Sequence, residues 1–195
     1  MARVADVGPE ALSPEVREIY ERFGSGYGPF KDQVAVFAHV PSALQHVMGM
    51  LLELRAQKNV PYRYIELAIV AVSKLNECHY CVGHHKPLLL VEGLSSEGAD
   101  SILDYAQHPE LDDVDRLVVE YAIGVTNNPQ RIRDGLFDRL RRHFSEPQIV
   151  ELTLRIALCG FFNRFNDALQ IDGAYGAPGA LHPPEDADAV AAHGR

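Results

Sequence analysis

Helix-start signals recur along this chain, whereas the alternation of apolar and polar residues that marks a half-buried strand is nearly absent. That contrast predicts an all-α fold. Ser13-Pro14 can cap and start one helix, Pro41-Ser42 opens a second ahead of Ala43–Arg55, and Pro61 can occupy the first turn of a third. Gly24-Ser25-Gly26-Tyr27-Gly28-Pro29 separates the first helix from the next, and Gly93 reads as the stop after Leu88-Leu89-Leu90-Val91. Ser96–Ala106, Val114–Val125 and Ile132–His143 predict further helices. Ser145-Glu146-Pro147-Gln148 has the Ser-x-x-Gln spacing of a capping box, so another helix starts ahead of the apolar run Ile149–Phe162. From Gly173 onward the chain is rich in Ala, Gly and Pro without a period. The expectation is a single helical domain over residues 1–172 and an extended or disordered tail over 173–195.

The formal charge of −9 leaves no basic patch to neutralise phosphates, so a nucleic acid partner is not expected. A small or neutral substrate fits better. No apolar stretch approaches the roughly 20 residues of a membrane span, and residues 1–15 lack a basic start followed by an apolar segment. The expected location is therefore cytoplasmic, with no membrane partner. Three cysteines, two of them in a Cys-x-x-Cys pair, do not make a secreted disulfide framework. In a reducing compartment the close pair points to catalysis, redox cycling or metal.

Thiol, imidazole and carboxylate gather at regular spacing in one place, Glu66-x11-Cys78-x2-Cys81-x3-His85. At about 100° per residue, Cys81 and His85 share a helix face with Cys78 within two turns. Leu67–Leu75 is apolar on nearly every side, which predicts a buried helix with Glu66 near its beginning. A carboxylate there either supports the helix amino terminus or serves chemistry, and Glu151 at the equivalent place in an internal repeat favours the former. Asn76 is a candidate N-cap for a second helix with Cys78 in its first turn, where the helix dipole and a nearby imidazole favour thiolate. Cβ atoms three apart on a helix lie roughly 5–6 Å from each other, so a modest adjustment closes Cys78 to Cys81.

Zinc is the competing reading of the cysteine pair. It needs a fourth ligand beyond Cys78, Cys81 and His85, from Glu66, His84, His79 or solvent, and no second Cys-x-x-Cys is present. A deaminase pattern is not met because Glu77 rather than proline precedes Cys78, and a thioredoxin-like motif should follow a strand. No glycine-rich phosphate loop follows a strand, so no cofactor is expected. His79 and His84 are expected at an exposed or oligomer-facing surface, and His39, His46, His108 and His143 as surface or half-buried side chains. Cys159 reads as a packed core thiol, Arg139-Leu140-Arg141-Arg142 as a solvated helix face, and Phe161, Phe162 and Phe165 as core or interface.

Sliding the chain by 85 positions lays Ile65-Glu66-Leu67 on Val150-Glu151-Leu152 and puts Cys78, Cys81 and His85 over Asn163, Asn166 and Gln170. The pattern is that of a duplicated helical hairpin in which one half kept the reactive groups and the other the packing.

The segment from Glu66 to His85, ELAIVAVSKLNECHYCVGHH, resembles the alkylhydroperoxidase D-type (AhpD-like) branch of the carboxymuconolactone decarboxylase family. Ile149–Leu169 is similar to the distal half of many members, so the resemblance runs from about Ala43 to Leu169. It implies an AhpD-like all-helical fold, a homo-oligomer (dimer, trimer or hexamer) and reduction of small hydroperoxides by a dithiol. Carried onto this chain, it implies that Cys81 attacks the peroxide and Cys78 resolves the sulfenic acid into a disulfide. His85 would take the thiol proton, Glu66 would orient His85, and an external, lipoyl-type dithiol would regenerate the pair. The best-defined members carry a histidine immediately before the second cysteine, where this chain has Tyr80. Two alternatives differ in class: a carboxymuconolactone decarboxylase-like lyase, against which the two cysteines argue, and a non-catalytic redox-sensing oligomeric module.

Overall fold

Local capping explains most of the helix boundaries. The computed structural model describes residues 2–26 and 30–171, and among these it contains helices and no strands. The chain divides into two compact units: described residues up to Gln57 together with 169–171, and Lys58–Ala168. The expected tail from Gly173 lies outside the described residues, as does the second half of the expected break, residues 27–29.

In the first unit α1 (Pro14–Gly26) starts on Pro14 as expected and runs on through Gly24. α2 (Lys31–Phe37) buries Val34, Ala35, Val36 and Phe37. Pro41 then opens α3 (Pro41–Ala43), and the backbone widens into a π-turn over Leu44–Met48 before α4 (Gly49–Gln57). The widened turn directs Leu44 and Met48 inward, where both are fully buried.

The second unit is organised around α5 (Tyr62–Leu75), whose residues Ile65 to Ser73 are all buried. Pro61 precedes this helix as its cap rather than entering the first turn. α6 (His79–Val91) folds back after a reversal at Glu77, whose φ of 55° lies in the left-handed region, and ends at Gly93 with φ 97°. The Gly93 conformation is one glycine adopts freely, so the predicted stop falls where the backbone needs it.

α7 (Ser96–Asp100) is shorter than the expected Ser96–Ala106. Non-helical angles at Asp104 divide the remainder, which continues as a 3-10 turn over Ile102–Gln107. His108 gathers this bend: its Nε2–H donates to the Gly98 carbonyl at 2.9 Å, and its Nδ1 accepts from the Glu110 N–H at 3.2 Å. This histidine is 2% exposed and neutral by its bonding, a structural side chain rather than the surface one expected. His39, His46 and His143 are exposed.

α8 (Asp113–Asn127) begins on a capping box formed by Asp112 and Asp115. Asp115 also accepts from Arg63 of α5, tying the beginnings of the two helices together. α9 (Asp134–Leu140) is shorter than Ile132–His143, because a 3-10 turn at Pro129–Arg131 leaves Ile132 extended. The Arg139–Arg142 run is solvent-facing apart from Leu140, which is fully buried.

α10 (Glu146–Leu169) follows the Ser145–Gln148 pairing, in which the Ser145 N–H donates to Gln148 Oε1 at 2.9 Å. It runs uninterrupted past Phe162 to Leu169, whereas the first copy of the repeat bends at Glu77 between two helices. Phe161 is 46% exposed, which removes it from the core; it lies edge-on to Phe162 and stacked on Phe165.

Candidate functional site

The bend between α5 and α6 sets the sulphur geometry. Asn76 closes α5 rather than capping α6, and Cys78 itself is the N-cap of α6, its sulphur accepting from the Cys81 N–H at 3.4 Å. This corrects the expected register by two residues. The physical reason is the left-handed turn at Glu77, which stops α5 before Cys78 and lets the thiol take the capping position. Both cysteines thus sit at the positive end of the α6 dipole.

Cys78 is fully buried and Cys81 is 5% exposed. Their sulphurs are 2.6 Å apart, with the Cys78 S–H donating to Cys81. That separation approaches the bonded distance of about 2.05 Å. The bond to Cys81 pushes the Cys78 thiol well above its ordinary range, and burial, the adjacent Cys81 charge and Asp167 add to the effect. The Cys81 backbone N–H works in the opposite direction. Cys78 is therefore the proton holder of the pair.

Glu66 and His85 meet by another route. Glu66 lies on the fifth residue of α5, beyond its first turn, and its Oε2 is 2.8 Å from His85 Nδ1. A carboxylate only accepts, so Nδ1–H donates to Glu66, and in the neutral ring Nε2 is left to present the lone pair. Both side chains are nearly buried. The expectation that Glu66 supports its helix terminus gives way to this carboxylate–imidazole pair. Its counterpart Glu151 is buried against Arg155, at 3.2 Å one turn along α10.

The structure thus brings Cys78 to Cys81 and Glu66 to His85, with His85 one turn beyond Cys81 on α6. His79 is exposed as expected. His84 is not: it is 7% exposed, its ring is 4.2 Å from that of Tyr80, and its Nδ1–H donates to the Tyr80 carbonyl. Tyr80 itself is buried at 3% exposure. Among the described residues no three His, Cys, Asp or Glu side chains converge as metal ligands do.

Sequence reasoning missed a polar seam on α10. Asn166 Nδ2 lies 3.3 Å from Cys81 Sγ. One turn earlier Asn163 accepts from Asn76 Nδ2 at 2.8 Å and donates to Ser73 Oγ at 3.3 Å. The available signal was the repeat, which had already set Asn166 over Cys81 and Asn163 over Cys78.

Cys159 borders this seam as the expected core thiol, 3.3 Å from Ser73 Oγ. Burial pushes it up to about 12, against the lowering effect of the Ser73 and Asn163 bonds. Its proton is held more tightly in the folded than in the unfolded chain. The corresponding stability is intact below the ordinary thiol value of 9.0 and is lost as pH rises from there to about 12. Each pH unit in that window costs about 1.4 kcal/mol per such thiol. Denaturant titration at pH 8 and pH 10.5 should show this loss, with a smaller loss in Cys159→Ala; an equal loss in that variant would refute the assignment.

The second unit is thus helical, with a Cys-x-x-Cys pair at the amino end of α6 and a nearly buried Glu66–His85 pair joining α5 to α6. Residues 41–107 match the model of the carboxymuconolactone decarboxylase family. It is 26% identical over 147 residues to the uncharacterised protein YnjA of Escherichia coli strain K12, covering 74% of this chain and 80% of the relative. The fold is similar to the alkylhydroperoxidase AhpD core of a peroxidase-related protein from Ralstonia eutropha JMP134, at TM-score 0.74 and 20% identity over 88% of this chain and 91% of that one. It is also similar to the debrominase Bmp8, at TM-score 0.72 and 20% identity over 87% and 91%. No helix among the described residues is long and apolar enough to cross a membrane.

Proposed function

We propose that this protein is a dithiol peroxidase that reduces a small hydroperoxide with electrons from an external, lipoyl-type dithiol. The observation that carries the reading is the sulphur pair at 2.6 Å, with the Cys78 proton directed at Cys81. Of the two residues, Cys81 keeps 5% exposure and Cys78 none, which favours Cys81 as the one a substrate reaches.

In the first step the Cys81 thiolate attacks the distal peroxide oxygen and the O–O bond breaks. Cys81 becomes a sulfenic acid, and the alkoxide leaves with the proton that His85 Nε2 had taken from the thiol. Glu66 holds His85 through Nδ1, which keeps Nε2 as the atom that exchanges protons. Next the Cys78 sulphur attacks the Cys81 sulphur, forming the disulfide, and the departing hydroxide leaves as water with the Cys78 proton. The external dithiol then returns two electrons and two protons. The balance is one hydroperoxide and one dithiol converted to one alcohol, one water and one disulfide.

The test is peroxide consumption by the purified protein with dihydrolipoamide, alongside intact mass. Multiple turnovers and a loss of two mass units, mapped to Cys78 and Cys81, are expected. Disulfide formation without turnover with any dithiol would replace the peroxidase by a redox sensor.

A further inference from the structure

α10 delivers an amide to the reacting sulphur from the opposite end of the sequence. Asn166 is 1% exposed, and its Nδ2 lies 3.3 Å from Cys81 Sγ. We propose that Asn166 is a further catalytic residue, whose amide N–H holds negative charge on the Cys81 sulphur and so fixes Cys81, rather than Cys78, as the nucleophile. The inference deepens the peroxidase proposed above and rests on that reading for the chemistry in which the charge is used.

The donors are distributed unequally. Cys81 accepts from the Asn166 side chain and from the Cys78 S–H, whereas Cys78 accepts from the Cys81 backbone N–H at 3.4 Å. A hydrogen bond to an ionised acceptor is roughly twice as strong as one between neutral groups, so both donors to Cys81 favour its anionic form. Burial makes the preference larger, because little water competes for the sulphur.

The seam beside it fixes the position of the donor. Asn163, one turn before Asn166, is bonded to Asn76 and Ser73 at the end of α5, immediately before the chain turns into Cys78. The same contacts therefore hold both the α10 amide and the start of α6.

Asn166 acts at two points of the cycle. It favours the Cys81 thiolate before attack on the peroxide. It serves again during reduction. The first thiolate of the external dithiol attacks Cys81, and Cys78 leaves with the proton that the reductant gave up. The second reductant thiolate then attacks its own mixed-disulfide sulphur, closing the reductant's disulfide and expelling Cys81 as the thiolate. The electron pair of the broken bond stays on Cys81, facing the Asn166 N–H.

The experiment follows the absorbance of thiolate near 240 nm against pH in a Cys78→Ser background. Cys159, pushed up to about 12, stays silent through the neutral range. Asn166→Leu, which removes the donor at similar volume, should raise the Cys81 midpoint by about one pH unit. The rate of alkylation by iodoacetamide at pH 7 should fall by up to about tenfold. An unshifted midpoint in the folded variant overturns the proposal.

Should Asn166→Leu fail to fold, Asn166→Asp keeps the size of the side chain and replaces the N–H donor with a carboxylate that only accepts. Its charge should raise the midpoint further, and no rise overturns the proposal equally. Wild-type peroxide turnover, measured in parallel, separates the two readings. Absent turnover with a shifted midpoint removes the peroxidase and keeps Asn166 as the residue that sets Cys81 reactivity. Normal turnover with an unshifted midpoint removes Asn166 and keeps the peroxidase.

Discussion

Replacing Cys81 with serine is expected to lower hydroperoxide consumption by on the order of 10³-fold or more, to the level of reductant alone. A hydroxyl is not ionised near neutral pH and cannot accept the Cys78 proton as a thiolate does. Cys78→Ser should behave differently. Cys81 still reaches the peroxide, so about one oxidation per chain is expected, followed by a stall because no second sulphur stands 2.6 Å away to displace hydroxide. A sulfenic-acid trap such as dimedone should label Cys81 in that variant. Labelling at Cys78 instead, with Cys81→Ser retaining the single oxidation, would reverse the two roles. The asymmetry follows from burial and proton placement: Cys78 is inaccessible and holds its proton, whereas Cys81 is the acceptor and the outer of the two.

Asp115→Ala should lower the stability of the second unit by about 3 kcal/mol. The carboxylate is fully buried. It accepts from Arg63 Nε at 3.0 Å and Nη2 at 2.7 Å, and from the Asp112 N–H at 3.2 Å. Its removal strips the α8 capping box and leaves a guanidinium whose other bonds, to the carbonyls of Glu92 and Glu110, cannot balance its charge. Arg63 remains 27% exposed, so water offsets part of the penalty, which places the figure at the lower end of the range for broken buried pairs. Urea denaturation followed by circular dichroism measures it. A change under about 1 kcal/mol would mean that the α5–α8 tie contributes little to stability.

What could be read from the sequence was what depends on neighbours along the chain. Cys78 and Cys81 are three residues apart, so local geometry alone placed them together. Pro14, Pro41, Gly93 and Ser145 acted through local backbone chemistry and marked their boundaries to within a residue or two. Contacts made by folding were harder to see. Glu66 finds His85 because the chain reverses at Glu77, a glutamate in a conformation that nothing in its identity announces. Asn166 reaches Cys81 across 85 residues. The repeat alignment pairs those two positions, but an 85-residue repeat signals equivalent places in two hairpins and not contact between them. His84 and His108 look like surface histidines in isolation, and each is buried by a backbone carbonyl that takes its ring N–H.

The unequal depth of the sulphurs also bears on how this protein can be handled at the bench. With Cys78 fully buried and protonated, and Cys159 held protonated near neutrality, a chain of three thiols should react with small electrophiles as though it had one. Cys81 then becomes a natural single attachment point, open to compact reagents and closed to bulky dyes. Any spectroscopic probe placed there reports from beside α10 without a single engineered substitution.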